Sequence, residues 1–474
     1  MPELQIVGHA HLHLLCNHRS RLIKVLPGFP CVSNTGPFRC PGFDRDSGGT
    51  VRGTGGHGQG RNVMHDIPPN DVGRRLREIR AWRGQTMQVV ADLAGISFGY
   101  LGRLERGEQS LTSRATLEAL ARALKVAPTE FNAYPWHSST PEHSEQAHAG
   151  LIAMENALDV YELGDDPGAE VRQWPQVEAD LERLAYLIHG TSDYAAQGEL
   201  TPGLIGELHA IYARDAQRRR EALRGLILCY TSAVWTTKRL GGRGLPLLAA
   251  KAAQQCAEVL EEPAWQGFTA WLRGDVTGGL SRPEQYRRAI KMTDQLTPHL
   301  DNSDVLQIYG MLHLSAALAA AVQADRDTAT THLEEAQVVA QRMEDEAGSF
   351  AHLWFGRANV GIWQATIGME FGDEGRVAEQ ARGVRVDAIP SKSRQAEFYM
   401  EVGRSLLTDA KHRDKGVEIL LKAEDLAPQR VHADVFVREA VADHLRSARR
   451  DAGGRNLRGL AWRLGIAPEL ASNS

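Results

Sequence analysis

The chain has 474 residues and a mass of 52.1 kDa, which is too long for one compact core and favours roughly three domains. Hydrophobic residues make up 42% and charged residues 24% of the chain, a composition that excludes a wholly disordered or collagen-like protein. No window approaches the roughly 18 uninterrupted apolar residues of a membrane-spanning helix. The five cysteines form no CxxC pair. We therefore expect a cytoplasmic protein without membrane association or a disulfide framework.

Residues 1–66 show no helical or strand period, and seven glycines lie between Gly48 and Gly60, so we predict that this segment is disordered. It contains zinc-ligand residue types at short spacing, but no second ligand pair follows, and we expect neither a metal site nor a cofactor; these residues are His9, His11, His13, Cys16 and His18. Our hypothesis is that translation begins at Met64, because Gly60-Arg61 could be encoded by a ribosome-binding sequence. N-terminal sequencing of the native protein tests it.

From Asp71 to Phe131 the apolar residues become regularly spaced, and ten basic residues stand against seven acidic ones. This segment carries a net charge of +3, whereas the whole chain carries −5. The uneven distribution is the first indication of an anionic partner. Pro135 and Pro141 then interrupt the pattern, and polar residues continue to Gly150, which predicts a flexible linker over residues 134–150.

The segment 86–107 predicts two short helices around a tight turn. Gly95 supplies a residue that can adopt positive φ at the end of the first helix, and Ser97 can N-cap the second. Ala91 must be small where the second helix crosses the first, and Leu101 and Leu104 return to the core. These features define a helix-turn-helix whose second helix can enter the major groove of DNA.

Residues 72–131 resemble the DNA-binding domain of phage-repressor-like (XRE-family) transcriptional regulators, through LREIRAWRG, ADLAGIS, YLGRLERGE and TLEALARALKVAPTEF. The resemblance implies a five-helix domain over residues 71–133, with an ion pair between Arg80 and Glu105 and a core that includes Tyr100. It places base contacts on the second helix of the motif, at Ser97, Phe98, Gly99, Gly102 and Arg103. It places phosphate contacts at Thr86, Gln88, Arg106, Gln109, Ser110 and Thr112.

The sequence departs from the family pattern at positions that determine which DNA bases are recognised. Met87 replaces the usual glutamine, and Gly99 and Gly102 offer no side chain to a base. Arg103 is therefore the best direct reader, since arginine can bind guanine bidentately, and Phe98 could touch a thymine methyl group. The alternative is a solvated helical face used for protein contact. Repressors of this class bind pseudo-palindromic operators as two-fold dimers, so we expect a homodimer on double-stranded DNA.

Beyond Leu151 nearly all of the sequence predicts amphipathic helices. From Ala222 onward they come in pairs that start 39–44 residues apart, near Ala222, Pro263, Asp304, Gly348, Lys392 and Val431. This period is typical of an α-solenoid, which we predict for residues 151–468. Residues 316–343 resemble a tetratricopeptide repeat, and RDKGVEILLKAEDLAPQRV resembles the last repeats of XRE regulators of the actinomycete type that carry tetratricopeptide-like tails. The predicted fold class is therefore all-α.

Tetratricopeptide arrays bind ligands on the concave face formed by the first helix of each pair. Carried over by resemblance, the ligand-binding positions are Met311, Leu314, Leu318, Asn359, Ile362, Thr366, Phe398, Glu401 and Ser405. The Asn359 amide could satisfy a peptide backbone, or it could be a surface or capping residue. The tryptophans at 235, 271, 354 and 363 could stack on a ligand or belong to the core. Glu401 and Arg404 are expected to form a surface ion pair.

No Walker A or HExxH motif is present, and no GxSxG or GxGxxG follows a strand pattern, so we expect no enzyme. The sequence predicts a sequence-specific transcriptional regulator whose solenoid binds a small-molecule, peptide or protein signal. The alternative is a scaffold that tethers a partner protein to DNA without a small signal. A DNA-linked enzyme would instead need a charge-dense pocket with perturbed titrating groups.

Overall fold

The computed structural model describes residues 72–131, 141–279, 281–448 and 454–466. Residues 1–66, with their histidines and Cys16, and the first part of the predicted linker lie outside these ranges. Within them the chain forms α-helices, short 3-10 and π turns and loops, and no strand. The predicted all-α fold class is confirmed for this part of the chain.

Residues 72–131 form a small helical domain, here called the head. Its four α-helices and a closing 3-10 turn enclose a core of leucine, valine and alanine side chains. The fifth helix of the predicted domain is thus one turn only. The elements are α1 (Val72–Trp82), α2 (Met87–Ala94), α3 (Phe98–Glu105), α4 (Arg114–Leu124) and the turn Pro128–Phe131.

The turn between α2 and α3 forms as the sequence predicts. The Thr86 side chain caps α2 by accepting a hydrogen bond from the Val89 amide, and Ser97 caps α3 by accepting one from the Tyr100 amide. Gly95 ends α2 with φ of +67°, a conformation that favours a residue without Cβ. Ala91 is fully buried where the two helices meet. Local turn chemistry therefore sets the direction of α3.

The remaining helices form an antiparallel helical array, here called the solenoid. From α6 onward each helix packs against the next one in the chain, whereas α5 packs against α7. The helices are α5 (Pro141–Val160), α6 (Trp174–Tyr186), α7 (Tyr194–Arg214), α8 (Arg219–Arg239), α9 (Leu245–Leu260), α10 (Pro263–Gly278), α11 (Arg282–Leu296), α12 (Ser303–Val322), α13 (Arg326–Gln341), α14 (Arg357–Glu370), α15 (Glu374–Gln380), α16 (Lys392–Thr408), α17 (Arg413–Leu426), α18 (Pro428–His432), α19 (Val435–Ala448) and α20 (Arg455–Arg463).

Four of the six predicted pair starts fall at or near the beginning of α8, α10, α12 and α16. The start predicted at Gly348 is early, because α14 begins only at Arg357 after an irregular loop. The start predicted at Val431 falls in α18, ahead of α19. The linker predicted for residues 134–150 is wrong from Pro141 onward, where α5 begins. Proline suits that position, because the first helical residue has no intrahelical acceptor for its N–H.

Small residues allow close helix crossing along α12. Ala317 and Ala320 are buried against Ala329 of α13, as the repeat resemblance implies. Gly310 faces the ring of Phe355 so closely that a Cβ atom would collide with it. Helix α12 is also long and apolar enough to pass the length and composition test for a membrane span, but most of it is buried inside the array. A core helix of a folded protein passes the same test.

Candidate nucleic-acid interface and ligand cavity

Helix α3 presents an exposed face of mixed chemistry. Phe98 is 51% exposed at its start, and Gly99 and Arg103 are exposed beside it. The Arg103 Nε donates to Gln109 Oε1 at 2.9 Å, so the two predicted contact residues share one surface. An arginine beside a flat apolar side chain can read a guanine and a thymine methyl group in adjacent steps. The structure thus places Phe98, Gly99 and Arg103 of the predicted base-reading set on one exposed face.

The ion pair implied by the family resemblance is present and holds α3 against α1. Arg80 donates through Nε and Nη2 to the two carboxylate oxygens of Glu105 at 2.5 and 2.8 Å. The Glu105 side chain is 5% exposed, and the Arg80 Nη1 also donates to the Gln85 carbonyl at 3.0 Å. The hydrogen bonds that Arg80 donates to Glu105 raise the pKa of Arg80. This bidentate pair fixes the tilt of the exposed helix.

The predicted phosphate contacts on α2 and at the end of α3 lie on the surface. Thr86 is exposed and caps α2, and the Gln88 side chain donates to Asp92 Oδ1 at 2.7 Å. Arg106 is exposed and forms a bidentate pair with Glu108 at 2.7 Å for both bonds. Phosphate would have to displace Glu108 from this guanidinium.

Two predicted DNA contacts do not face solvent. Gly102 is buried beneath Met87 and the Arg106 guanidinium, so its place in the base-reading set is wrong for this conformation. Ser110 is buried against the solenoid, where its hydroxyl donates to the Glu439 carbonyl at 2.9 Å. The helical pattern could not reveal this, because Glu439 lies over 300 residues further along the chain.

The loop after α3 is held by the solenoid through further bonds. The Leu111 amide donates to Glu439 Oε2 at 3.1 Å, and the Arg446 Nη2 donates to the Ser110 hydroxyl at 2.8 Å. The Thr112 side chain is exposed, but its carbonyl accepts a hydrogen bond from Arg404 Nη2 at 2.9 Å. A carboxylate of the solenoid, that of Glu439, therefore already accepts the hydrogen bond of a backbone amide in the loop that we expect to contact phosphate.

Helix α4 completes the contact between head and solenoid, here called the junction. Glu118 accepts hydrogen bonds from Arg282 of α11, the shortest at 2.6 Å, and both side chains are about 10% exposed. Arg114 donates to Glu370 of α14 through its backbone amide at 3.0 Å and its side chain at 2.5 Å. It also lies 3.4 Å from Glu401 of α16. The head is thus docked by charged pairs that are largely shielded from water.

The predicted surface pair of Glu401 and Arg404 is wrong. Both residues are buried and paired with each other in the junction, and the guanidiniums of Arg114 and Arg404 lie over the Phe436 ring, 5.3 and 5.0 Å from its centroid. Cation–π contacts of this kind are favourable in a partly desolvated site. Two opposite charges three residues apart on a helix are typical of an exposed pair, so the sequence pattern predicts exposure. Glu401 and Arg404 are buried because α4 and α19, which are distant in the chain, cover them.

A cavity of about 610 Å³ lies between the head and the solenoid. Its wall includes Arg114, Leu117 and Glu118 of α4 together with residues of the solenoid. The volume is in the range of small-molecule sites. Of the predicted ligand positions, five line the cavity, namely Met311, Leu318, Asn359, Thr366 and Glu401. The other four are core residues: Leu314, Ile362, Phe398 and Ser405 are buried and are absent from its lining.

All four tryptophans singled out in the sequence line this cavity. His189, which sequence reasoning did not find, stacks on His352 with ring centroids 4.8 Å apart. Trp235 and Trp354 meet His189 edge-on at 5.8 and 6.4 Å. Burial and the neighbouring His352 lower the pKa of His189 to about 3, so this aromatic cluster is uncharged at neutral pH.

The loop that carries His352 and Trp354 has unusual backbone geometry. Ala351, His352 and Trp354 all have positive φ, between 45° and 55°, although none of them is glycine. Such conformations cost roughly 1–3 kcal/mol each and cluster where a protein clamps a ligand. Gln307 of α12 holds the loop by accepting a hydrogen bond from the Phe350 amide at 3.0 Å. The fold therefore maintains strain at the cavity wall.

Asn359 is buried and already bonded within the protein. Its Nδ2 donates to the Leu353 carbonyl at 2.8 Å, and its Oδ1 accepts from Arg394 Nε at 2.9 Å. The amide thus positions Arg394 instead of remaining available for a peptide backbone. Arg394 also lies 5.2 Å above the Trp363 ring. No motif in the sequence points to Arg394, because its partners Asn359 and Trp363 lie on another helix, α14.

The architecture and the surface of α3 define a helix-turn-helix DNA-binding head on a helical array. The family described as a helix-turn-helix domain matches residues 71–133. An uncharacterized HTH-type transcriptional regulator of Bacillus subtilis, RghRB, is 30% identical over 121 residues, covering 24% of this chain and 85% of that protein. The chain therefore belongs to the helix-turn-helix-type transcriptional regulators.

The chain also has a partial match among solved structures. The crystal structure of Bacillus thuringiensis PlcR in complex with the peptide PapR7 and DNA shares 12% sequence identity with it. The match covers 78% of this chain and 99% of PlcR, with a TM-score of 0.32. That TM-score is too low to support a shared arrangement of helices.

Proposed function

We propose that this protein is a cytoplasmic transcriptional regulator that binds a pseudo-palindromic operator as a homodimer and senses a signal in the cavity beside its head. The proposal rests on one observation: the head and the solenoid both contribute residues to the wall of the cavity. Arg114 and Glu118 of the head line the cavity and also form the ion pairs of the junction. A molecule in this cavity would contact both parts of the protein at the place where they are joined.

The proposal that the head binds DNA is supported by the family to which the chain belongs and by the exposed face of α3. Arg103 and Phe98 would read bases, and Arg106 and Gln88 would contact the backbone on either side. In a two-fold dimer the two heads must reach half-sites about 34–36 Å apart, or a multiple of that distance. A signal that alters how each head is docked would change this separation.

The proposal that the protein senses a signal depends on coupling between ligand binding and DNA binding. A ligand can shift DNA occupancy only if it binds the DNA-competent and DNA-incompetent arrangements with different affinity. A ligand that contacts α4 has this property whenever the head moves, because its contacts to α4 exist in one arrangement and not in the other. A ligand enclosed by the solenoid alone would lack that direct dependence.

The test begins with genome-wide crosslinking in the native host to find the operator. The enriched DNA is then used in gel shifts with the small-molecule fraction and, separately, the protein fraction of a host extract. We expect a shared palindrome and an affinity that changes with the small-molecule fraction. A response to the protein fraction alone would favour the scaffold alternative, and no response to either fraction would refute sensing.

A cavity-filling variant connects the response to the site. Thr366 lines the cavity, so Thr366→Trp should abolish the response to the extract while leaving operator affinity in its absence unchanged. Thr330→Trp on the exposed face of α13 is the matched control, since it adds the same side chain away from the cavity. Equal responses of both variants and the unmodified protein would mean that the signal binds elsewhere.

A further inference from the structure

One end of the cavity wall holds two arginines that share one carboxylate. Arg394, near the start of α16, and Arg430, in α18, both pair with Glu397. Their side chains are only 20% and 11% exposed. Burial lowers the pKa of Arg394 to about 10, so the group remains charged at neutral pH. The pair of guanidiniums is therefore only half neutralised by Glu397 and has the capacity for a second anion.

The same residues carry hydrogen-bond donors that the described part of the protein leaves without acceptors. Arg394 Nη2, Arg430 Nε and the indole N–H groups of Trp354 and Trp363 are all buried and unsatisfied. Buried polar groups normally find partners, and an unmet guanidinium donor is costly. All four residues line the cavity, and no residue with an unsatisfied acceptor among the described residues does. A molecule that these side chains turned to meet would therefore have to supply acceptors.

The wall also carries a cation without a carboxylate partner. Seven arginine and lysine side chains line the cavity against five carboxylates, and two of the cations, Arg114 and Arg243, pair with Glu370 and Glu130, which lie outside the lining. Arg239 is one of the cations and forms no ion pair with any residue that the structure describes. A cation without a carboxylate partner in the cavity wall favours an anion over a neutral molecule of the same shape.

The other end of the wall is aromatic and close to the arginines. Ser391 connects the two ends, because its hydroxyl donates to the His189 carbonyl at 3.1 Å and accepts a hydrogen bond from the Arg394 amide at 3.2 Å. Around His189 lie Trp235 and Trp354, whose faces and edges suit an apolar or planar body. A small molecule could thus reach both chemistries at once.

We infer that the signal is a small carboxylic acid, with its carboxylate held by Arg394 and Arg430 and its apolar or aromatic body placed between Trp235 and Trp354. This assignment rests on the proposed function, since it names the class of ligand for the same cavity. Glu397 sets the affinity by competing for the two guanidiniums, and Asn359 holds Arg394 in position. The acid supplies the acceptors that the wall lacks.

The test uses the full chain and matched pairs of probes: 4-phenylbutyrate, indole-3-butyrate and decanoate, each beside its primary amide. Binding is measured by isothermal titration calorimetry. We expect at least one acid to bind, and its amide to bind roughly tenfold more weakly or worse, because the charge-assisted hydrogen bonds are lost. Equal binding of acid and amide, or no binding by any acid, overturns the assignment.

Three variants separate recognition from folding. Arg394→Gln should remove the preference for the acid, whereas Glu397→Gln should raise acid affinity, since it frees both guanidiniums. Arg326→Gln, which breaks an exposed ion pair on α13, should change neither. If Glu397→Gln weakens acid binding as Arg394→Gln does, the pair has a structural role only and the assignment fails.

The extract distinguishes this inference from the proposed function. We expect the active small-molecule fraction to be retained by an anion-exchange resin at neutral pH and released by salt. An active fraction that flows through the resin would overturn the acid while leaving the sensing function intact. An extract with no activity on operator binding would count against the proposed function itself.

Discussion

The junction can be tested by weakening the ion pair between Glu118 and Arg282. In Glu118→Gln the side chain keeps its shape and one acceptor oxygen but loses its charge. Hydrogen bonds to charged groups are worth about twice those between neutral groups. The two side chains are only 10% and 11% exposed, so solvent screens the pair weakly. Arg282 retains a hydrogen bond to Gln285 Oε1 at 2.7 Å, which limits the loss.

These considerations give a cost of about 2 kcal/mol, which corresponds to a shift of about 30-fold from the docked towards the undocked head. Hydrogen exchange reports the shift directly. The amides of Leu111 and Arg114 donate to Glu439 and Glu370 of the solenoid, so they are protected only while the head is docked. Both should exchange faster in the variant, by up to the same factor.

The matched control is Glu284→Gln, which removes a carboxylate from α11, the helix that carries Arg282, but breaks only ion pairs with Arg287 and Arg288. It should leave the Leu111 and Arg114 amides unchanged. Operator affinity should rise in Glu118→Gln, because the loop held by Glu439 becomes available to phosphate. Unchanged exchange at both reporter amides in Glu118→Gln would refute the reasoning that this pair holds the head.

Further expectations concern DNA reading, acid stability and packing. Arg103→Ala should relax base specificity, whereas Arg106→Ala should weaken binding to all sequences and lower the salt slope by about one; gel shifts at several salt concentrations separate the two effects. Burial raises the pKa of Glu424, but hydrogen bonds from Arg463 and His432 outweigh it and lower the value to about 2. Because this pKa lies below that of the unfolded chain, the stabilisation is present above about pH 4.5 and is lost as the pH falls towards about 2, by about 3 kcal/mol in total. Glu424→Gln should remove that acid dependence in denaturant titrations at several pH values. Gly310→Ala should destabilise the array by about 1–3 kcal/mol, measured by thermal unfolding, because its Cβ would collide with a fully buried ring.

Local chemistry explains why the head was predictable in detail. The caps at Thr86 and Ser97 and the left-handed Gly95 depend only on residues within one helical turn. The ion pair between Arg80 and Glu105 is also confirmed, although it came from family resemblance and not from spacing. The helix caps and the ion pair both lie within one small domain whose family has a well-defined sequence pattern.

The helical array was predictable in period but not in detail. The spacing of helix pairs follows from apolar periodicity, so the starts of α8, α10 and α12 are close to those predicted. The start of α14 was missed because the loop before it contains positive φ at residues that rarely adopt it, such as His352 and Trp354. Strain of that kind is imposed by tertiary contacts and leaves no local signal.

The junction and the charged end of the cavity could not be predicted from the sequence. Ser110 and Glu401 were given exposed roles, because polar residues in amphipathic helices usually face solvent, yet both are buried by elements distant in the chain. Arg394 carried no motif at all. Its importance follows from Asn359, Glu397 and Arg430 meeting around it, and these residues come from three different helices.

The geometry also suggests how an anion at one end of the cavity could reach the head. Glu401 favours the charged form of Arg394 through space, and it pairs with Arg404 and Arg114 in the junction. An acid bound by Arg394 would neutralise part of the positive charge that attracts Glu401 there, so Glu401 would interact more strongly with Arg114. The carboxylate of the ligand and the carboxylate of Glu401 thus compete for the guanidinium of Arg394. Such competition would make docking of the head depend on ligand charge, so the neutral amide should leave the reporter amides of Leu111 and Arg114 unchanged even at saturating concentration.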